Sequence, residues 1–104
     1  MSDFEITLEQ ATTWIKSWRN NLPKEPAKAH LITKQALLDV MQPEDVVAVR
    51  AYMGIDDVGV QKVILVGVDA NGKDLIDENH ILTDKSSPCP PLCSGDESPL
   101  LMVK

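Results

Sequence analysis

Along the first part of the chain, apolar residues recur at three- and four-residue steps. Leu8, Ala11, Trp14, Ile15 and Trp18 share one stripe while Glu9, Lys16 and Arg19 lie opposite, which predicts a helix over about 7–20 with one buried face. Thr7-Leu8-Glu9-Gln10 has the form of a capping box, in which the Thr7 hydroxyl accepts from the third helical N–H and the Gln10 side chain reaches back. Asn20-Asn21 and Pro23 close the helix. The stretch from Pro23 to Lys28 holds a second proline, Pro26, and reads as a surface connection, because proline is excluded from helix interiors. A shorter helix follows over about 33–42: Thr33 is its N-cap, Ala36, Leu37, Val40 and Met41 form its apolar face, and Pro43 stops it.

Beyond Pro43 the period changes to two. The runs 46–54 and 60–69 are rich in β-branched residues and flank Gly54-Ile-Asp-Asp-Val-Gly59, which predicts a β-hairpin. In the first run Val47, Val49, Ala51 and Met53 alternate with Val46, Ala48, Arg50 and Tyr52, a pattern suited to a sheet covered by helices on one side. The run from Val63 to Val68 is apolar throughout and reads as an interior strand covered on both faces. Asn71-Gly72 predicts a tight hairpin turn with positive φ at both central positions, with Lys73 to Ile76 pairing back as a short strand and His80 to Thr83 as a weaker fourth. From 85 to 104 the chain reads as an irregular tail with Pro88, Pro90 and Pro91. Its apolar end, 99–103, is expected to return to the domain or reach a neighbouring chain. The expected fold class is α+β: two N-terminal helices in one layer packed on an antiparallel sheet of three to four strands, a single domain over 1–104 with an irregular Pro/Cys C-terminal tail.

Composition narrows the partners. A chain of 104 residues builds one core, and an aromatic content of 4% leaves that core to Val, Leu, Ile and Ala. The net charge of -6 repels phosphate backbones and anionic lipid, so no nucleic acid is expected as partner. No apolar run approaches the ~20 residues a membrane-crossing helix needs, and no membrane partner is expected. Met-Ser-Asp-Phe-Glu at the N-terminus lacks the basic and apolar regions of a secretory signal, so a cytoplasmic location is expected.

Cys89-Pro-Pro-Leu-Cys93 is the most distinctive segment. Its two thiols could form half of a zinc site completed by His30 and His80, a disulfide, or a thiol-exchange pair. A fourth reading is a packed loop with two small buried sulfurs. The histidines stand alone at no motif spacing, which is the pattern of hydrogen-bonded structural residues. Nucleophile elbows, zinc-protease signatures and phosphate loops are absent from the sequence, and no cofactor is expected. Asp69-Ala-Asn71-Gly72 superficially resembles a calcium loop, but Lys73 stands where an oxygen ligand is needed and His80 occupies the twelfth position. Asp56-Asp57 reads as a solvated turn. Trp14 and Trp18, four apart on the apolar stripe, read as core or as a helix face buried in a dimer, ahead of a stacking platform for a ligand. Arg50 and Tyr52, two apart on one strand face, combine a planar donor fork with a flat contact surface and are the candidate binding pair. The plainer reading is an Arg stem lying along the sheet.

The strand Arg50-Ala-Tyr52-Met-Gly54, the run Leu65-Val-Gly-Val68-Asp69 leading through Gly72 to Asp74-Leu75, and Cys89-Pro90-Pro91-Leu92-Cys93 together resemble a group of small uncharacterised proteins of Bacteroidetes-type bacteria. The likeness spans about Thr7 to Gly95. It implies a bacterial cytoplasmic setting and a self-contained domain, and carries over no catalytic residues. The expected function is that of a non-enzymatic interaction or binding protein, with a protein partner or a second copy meeting the Arg50 and Tyr52 face and the tail. The alternative is a metal- or redox-responsive protein acting through Cys89 and Cys93.

Overall fold

The computed structural model describes residues 5–84 and 86–89. Strand β1 (Glu5–Ile6) leads directly into helix α1 (Leu8–Asn20). The capping box forms as expected: the Thr7 hydroxyl accepts from the Gln10 N–H at 3.0 Å, and the Gln10 side chain accepts from the Thr7 N–H at 2.9 Å. At the other end Asn21 turns the chain, its N–H donating to the Ser17 carbonyl at 3.0 Å. The proline-bearing connection is tied down by Gln61, whose side chain accepts from the Ala27 N–H at 2.7 Å and donates to the Glu25 carbonyl at 3.1 Å. Strand β2 (Ala29–Ile32) and helix α2 (Lys34–Met41) follow, with Thr33 capping α2 through the Ala36 N–H.

Strands β3 (Ala48–Ile55) and β4 (Gln61–Val68) form the hairpin, and β5 (Leu82–Thr83) and β6 (Ser86–Cys89) complete the set. The main sheet has the order β1-β5-β4-β3 and is antiparallel throughout, while β2 and β6 pair separately as a two-stranded ribbon. Two loops solve the hairpin problem in the same way. In Asp56-Asp57-Val58-Gly59-Val60 the first aspartate accepts from the N–H groups two and four residues on, and Asp69 does the same in Asp69-Ala70-Asn71-Gly72-Lys73. Gly59 and Gly72 take the positive φ each loop requires, 86° and 80°. Asn71 does not share it, so the expected tight two-residue turn is instead a longer loop ending in a left-handed glycine.

The pleat of β4 organises the interior. Ile64 and Val66 point to one face and cluster with Ile6, Ala11, Trp14 and Leu82. Val63 and Leu65 point to the other and cluster with Val40 of α2, with Ile32, Leu37, Val49 and Met53 packed against them. The helices therefore lie on opposite faces of the sheet, not in one layer. A strand apolar at every position exposes an apolar row on each side, and each row needs a cover. The β2–β6 ribbon lies along the edge of β4, where the Ser86 hydroxyl accepts from the Val63 N–H at 3.0 Å and the Ser86 carbonyl from Lys62 Nζ at 3.2 Å.

Two further expectations are corrected. Residues 73–76 form no strand: their pairing with β4 amounts to a single bridge, Val68 with Asp74, and the Leu75 N–H donating to the Gly67 carbonyl at 2.9 Å. The start of the tail is not irregular, since Ser86–Cys89 is a strand with Pro88 opposite His30, and a two-stranded ribbon tolerates a residue lacking an N–H. Cys93 and the apolar end 99–103 lie outside the described residues.

Candidate ligand-binding cleft

The apolar stripe of α1 is wider than the sheet can cover. Ala11 and Trp14 are buried, but Leu8 is 45% exposed and Ile15 only half-buried. Across from them stand Tyr52 on β3, Val66 on β4, Leu82 on β5, and Asp74 and Ile76 in the segment after β4. Together these side chains line a cleft of about 140 Å³. A space of this size holds one benzene-sized group. Past Tyr52 the cleft opens into a shallower groove of about 370 Å³ along α1, lined by Thr12, Ile15, Lys16, Arg19 and Asn20.

A polar cluster sits at the rim. Arg50 and Tyr52 are two apart on β3 and so share a face. The Val68–Asp74 bridge carries Asp74 to them. The Tyr52 hydroxyl donates to one carboxylate oxygen of Asp74, the Arg50 guanidinium donates to the other, and a second Arg50 nitrogen reaches the Gly72 carbonyl at 3.3 Å. The Asp74 charge raises the Arg50 pKa above its ordinary value. The Tyr52 phenol is also raised, first by its hydrogen bond to Asp74 and then by burial and the carboxylate's charge, with Arg50 opposing. Tyr52 is the chain's one tyrosine, so absorbance reads its ionisation without overlap from another phenol. Titration is expected to place it above the usual value of about 10, and Asp74→Asn to bring it down, because removing the carboxylate leaves Arg50 to favour the phenolate. An unchanged midpoint in the variant would contradict this assignment.

The structure places the other candidate residues elsewhere. Cys89 is 2% exposed and disulfide-bonded, and its carbonyl accepts from the Lys28 N–H at 2.6 Å. A sulfur in a disulfide is not a thiolate ligand. His30 lies on β2 with both ring nitrogens buried and, among the described residues, without hydrogen-bond partners. Burial, with the charge of Lys62, lowers its pKa. His80 is engaged at both nitrogens, Nδ1 with Asp77 at 2.5 Å and Nε2 with Asp45 at 3.0 Å. Among the described residues no three acidic, histidine or cysteine side chains converge as a metal site.

His80 is instead a clasp between the segment after α2 and the loop before β5, with its side chain 8% exposed. The hydrogen bonds to Asp45 and then Asp77 raise its pKa above 6.5. A raised histidine pKa stabilises the fold fully below the unfolded value and loses that contribution as pH rises through the folded one. His80 also holds Asp77 below the ordinary carboxylate range, so the pair survives moderate acid. In urea titrations the stability of the native chain should exceed that of His80→Asn most near about pH 5.5, and the gap should shrink towards about pH 8.5. A gap independent of pH would remove the clasp.

Asp74, Asp45, Asp77 and Asp57 were not legible as partners from the sequence. Asp57 accepts from the Trp14 indole N–H at 3.0 Å, fixing α1 against the hairpin loop. Aspartates in turn segments carry no local mark of the side chain that the fold brings to them. No known family model matches the chain, and neither a curated protein nor a solved structure matches it.

Proposed function

We propose that this chain is a non-enzymatic binding protein whose recognition site is the cleft between α1 and the main sheet, rimmed by Tyr52, Asp74 and Arg50. The observation that carries the reading is the juxtaposition of an apolar recess with a fixed polar cluster at its mouth, the usual anatomy of a ligand site. Binding is favoured over catalysis by the state of Tyr52. Its proton is committed to Asp74 and its pKa is raised, so it serves poorly as a base or nucleophile near neutrality. The recess admits one ring or one short branched chain.

The test is binding of indole, toluene and benzyl alcohol, read by saturation-transfer NMR on the full chain. Binding is expected in the native protein and lost in Thr12→Phe, a substitution at an exposed position that places a ring across the opening. Far-ultraviolet dichroism checks that this variant keeps its fold. Equal binding by both proteins, or by neither, would overturn the reading.

A further inference from the structure

We infer that the ligand of the cleft is a small organic monocarboxylate, a one-ring or short-chain apolar body carrying a single terminal carboxylate. This inference rests on the reading of the cleft as a binding site. Lys16 and Arg19 are one turn apart on α1 and line the groove that continues from the apolar recess. Neither makes an ion pair among the described residues, whereas the third nearby cation, Arg50, is matched by Asp74. In a chain of net charge -6, two adjacent uncompensated cations beside an apolar opening form a local site for one negative charge.

Tyr52, Thr12 and Ile15 line both the recess and the groove, so an apolar body seated in the recess leads its charged end towards Lys16 and Arg19. The arrangement favours a carboxylate over a phosphate. Lys16 and Arg19 lie in the second half of α1, where the helix carries partial negative charge and its N–H groups are spent on intrahelical bonds. A doubly charged phosphate thus gains no cradle of backbone donors. A carboxylate needs one planar fork, which Arg19 has, and one further cation, which Lys16 supplies.

Calorimetric titration of the full chain with 3-phenylpropionate, 3-phenylpropanol and 3-phenylpropylamine tests this. The acid is expected to bind more tightly than the alcohol and the amine least. A double variant, Lys16→Ala with Arg19→Ala, should bind the acid about tenfold more weakly, with the alcohol unaffected. Both positions are solvent-exposed, so the fold should survive, and dichroism verifies it. Raising the salt should weaken binding of the acid alone. If the alcohol binds as well as the acid, or the double variant binds the acid as the native chain does, the carboxylate assignment falls while the cleft stands. If neither compound binds, both fall.

Discussion

Replacing Ile64 with alanine is expected to cost about 2 to 5 kcal/mol, the largest effect of any single substitution considered for this chain. Ile64 is fully buried, at 0% exposure, and sits at the middle of β4, where it joins Ala11 and Trp14 of α1 to Val66 and Leu82. Its terminal methyl lies over Gly54 on the neighbouring strand, which has no side chain to fill a void. The site therefore cannot collapse easily, and the loss should fall towards the upper end of that range. Ile64→Val, which removes only the terminal methyl, should cost about 0.5 to 1.5 kcal/mol. Urea denaturation followed by tryptophan fluorescence measures both. A loss for Ile64→Ala no larger than that for Ile64→Val would mean that α1 and the sheet do not meet through this residue.

The second large effect is expected at Gly54. A methyl group there would stand 3.0 Å from the Ile64 terminal methyl carbon and 3.3 Å from the Cβ of Trp14, both closer than packed carbons settle. Gly54→Ala should cost about 1 to 3 kcal/mol through overpacking, despite the entropy that alanine saves in a strand. Part of that clash disappears when Ile64 is shortened. A double-mutant cycle with Ile64→Val should then show the two substitutions costing less together than the sum of their separate costs. Strict additivity would contradict the close approach of the Ile64 terminal methyl to Gly54. The approach of Gly54 to Trp14 bears on the cleft as well, since Trp14 and Ile15 are adjacent on α1 and a displaced helix shifts both.

How much of this was legible follows from what each element depends on. Helix α1 was readable because its cap and its stripe are local: Thr7, Gln10, Ala11 and Trp14 act within a few turns of one another. The two-sided burial of β4 was readable too, since an unbroken apolar run admits no solvent face. The placement of the helices was not. The alternation along β3 gave the right face for Tyr52 and for Val49, but whether both helices cover one face or one each is decided by the sheet as a whole. Strands β2 and β6 were missed because Ala29–Ile32 is short and Ser86–Cys89 contains a proline, and each is held by the other across a long stretch of chain.

The candidate site was legible in halves. Arg50 and Tyr52 were marked by sharing a strand face, yet Asp74, which fixes both, arrives through the bridge to Val68 and the Leu75–Gly67 hydrogen bond beside it, which no local pattern announces. Leu8 and Ile15 looked like core residues because helical spacing reports a stripe and not how much of it the opposing sheet covers. The recess is the uncovered margin of that stripe. Its boundary depends on where β5 and the segment after β4 end.

The most direct test of the cleft as a binding site is a two-dimensional amide NMR titration of the full chain with indole. A saturable response is predicted, with shifts confined to Ala11, Thr12, Ile15, Tyr52, Asp74 and Leu82, and silence at Leu38 and Met41, the exposed apolar residues of α2. Non-saturable or scattered shifts, or a response centred on α2 or on the β2–β6 ribbon, would contradict the account.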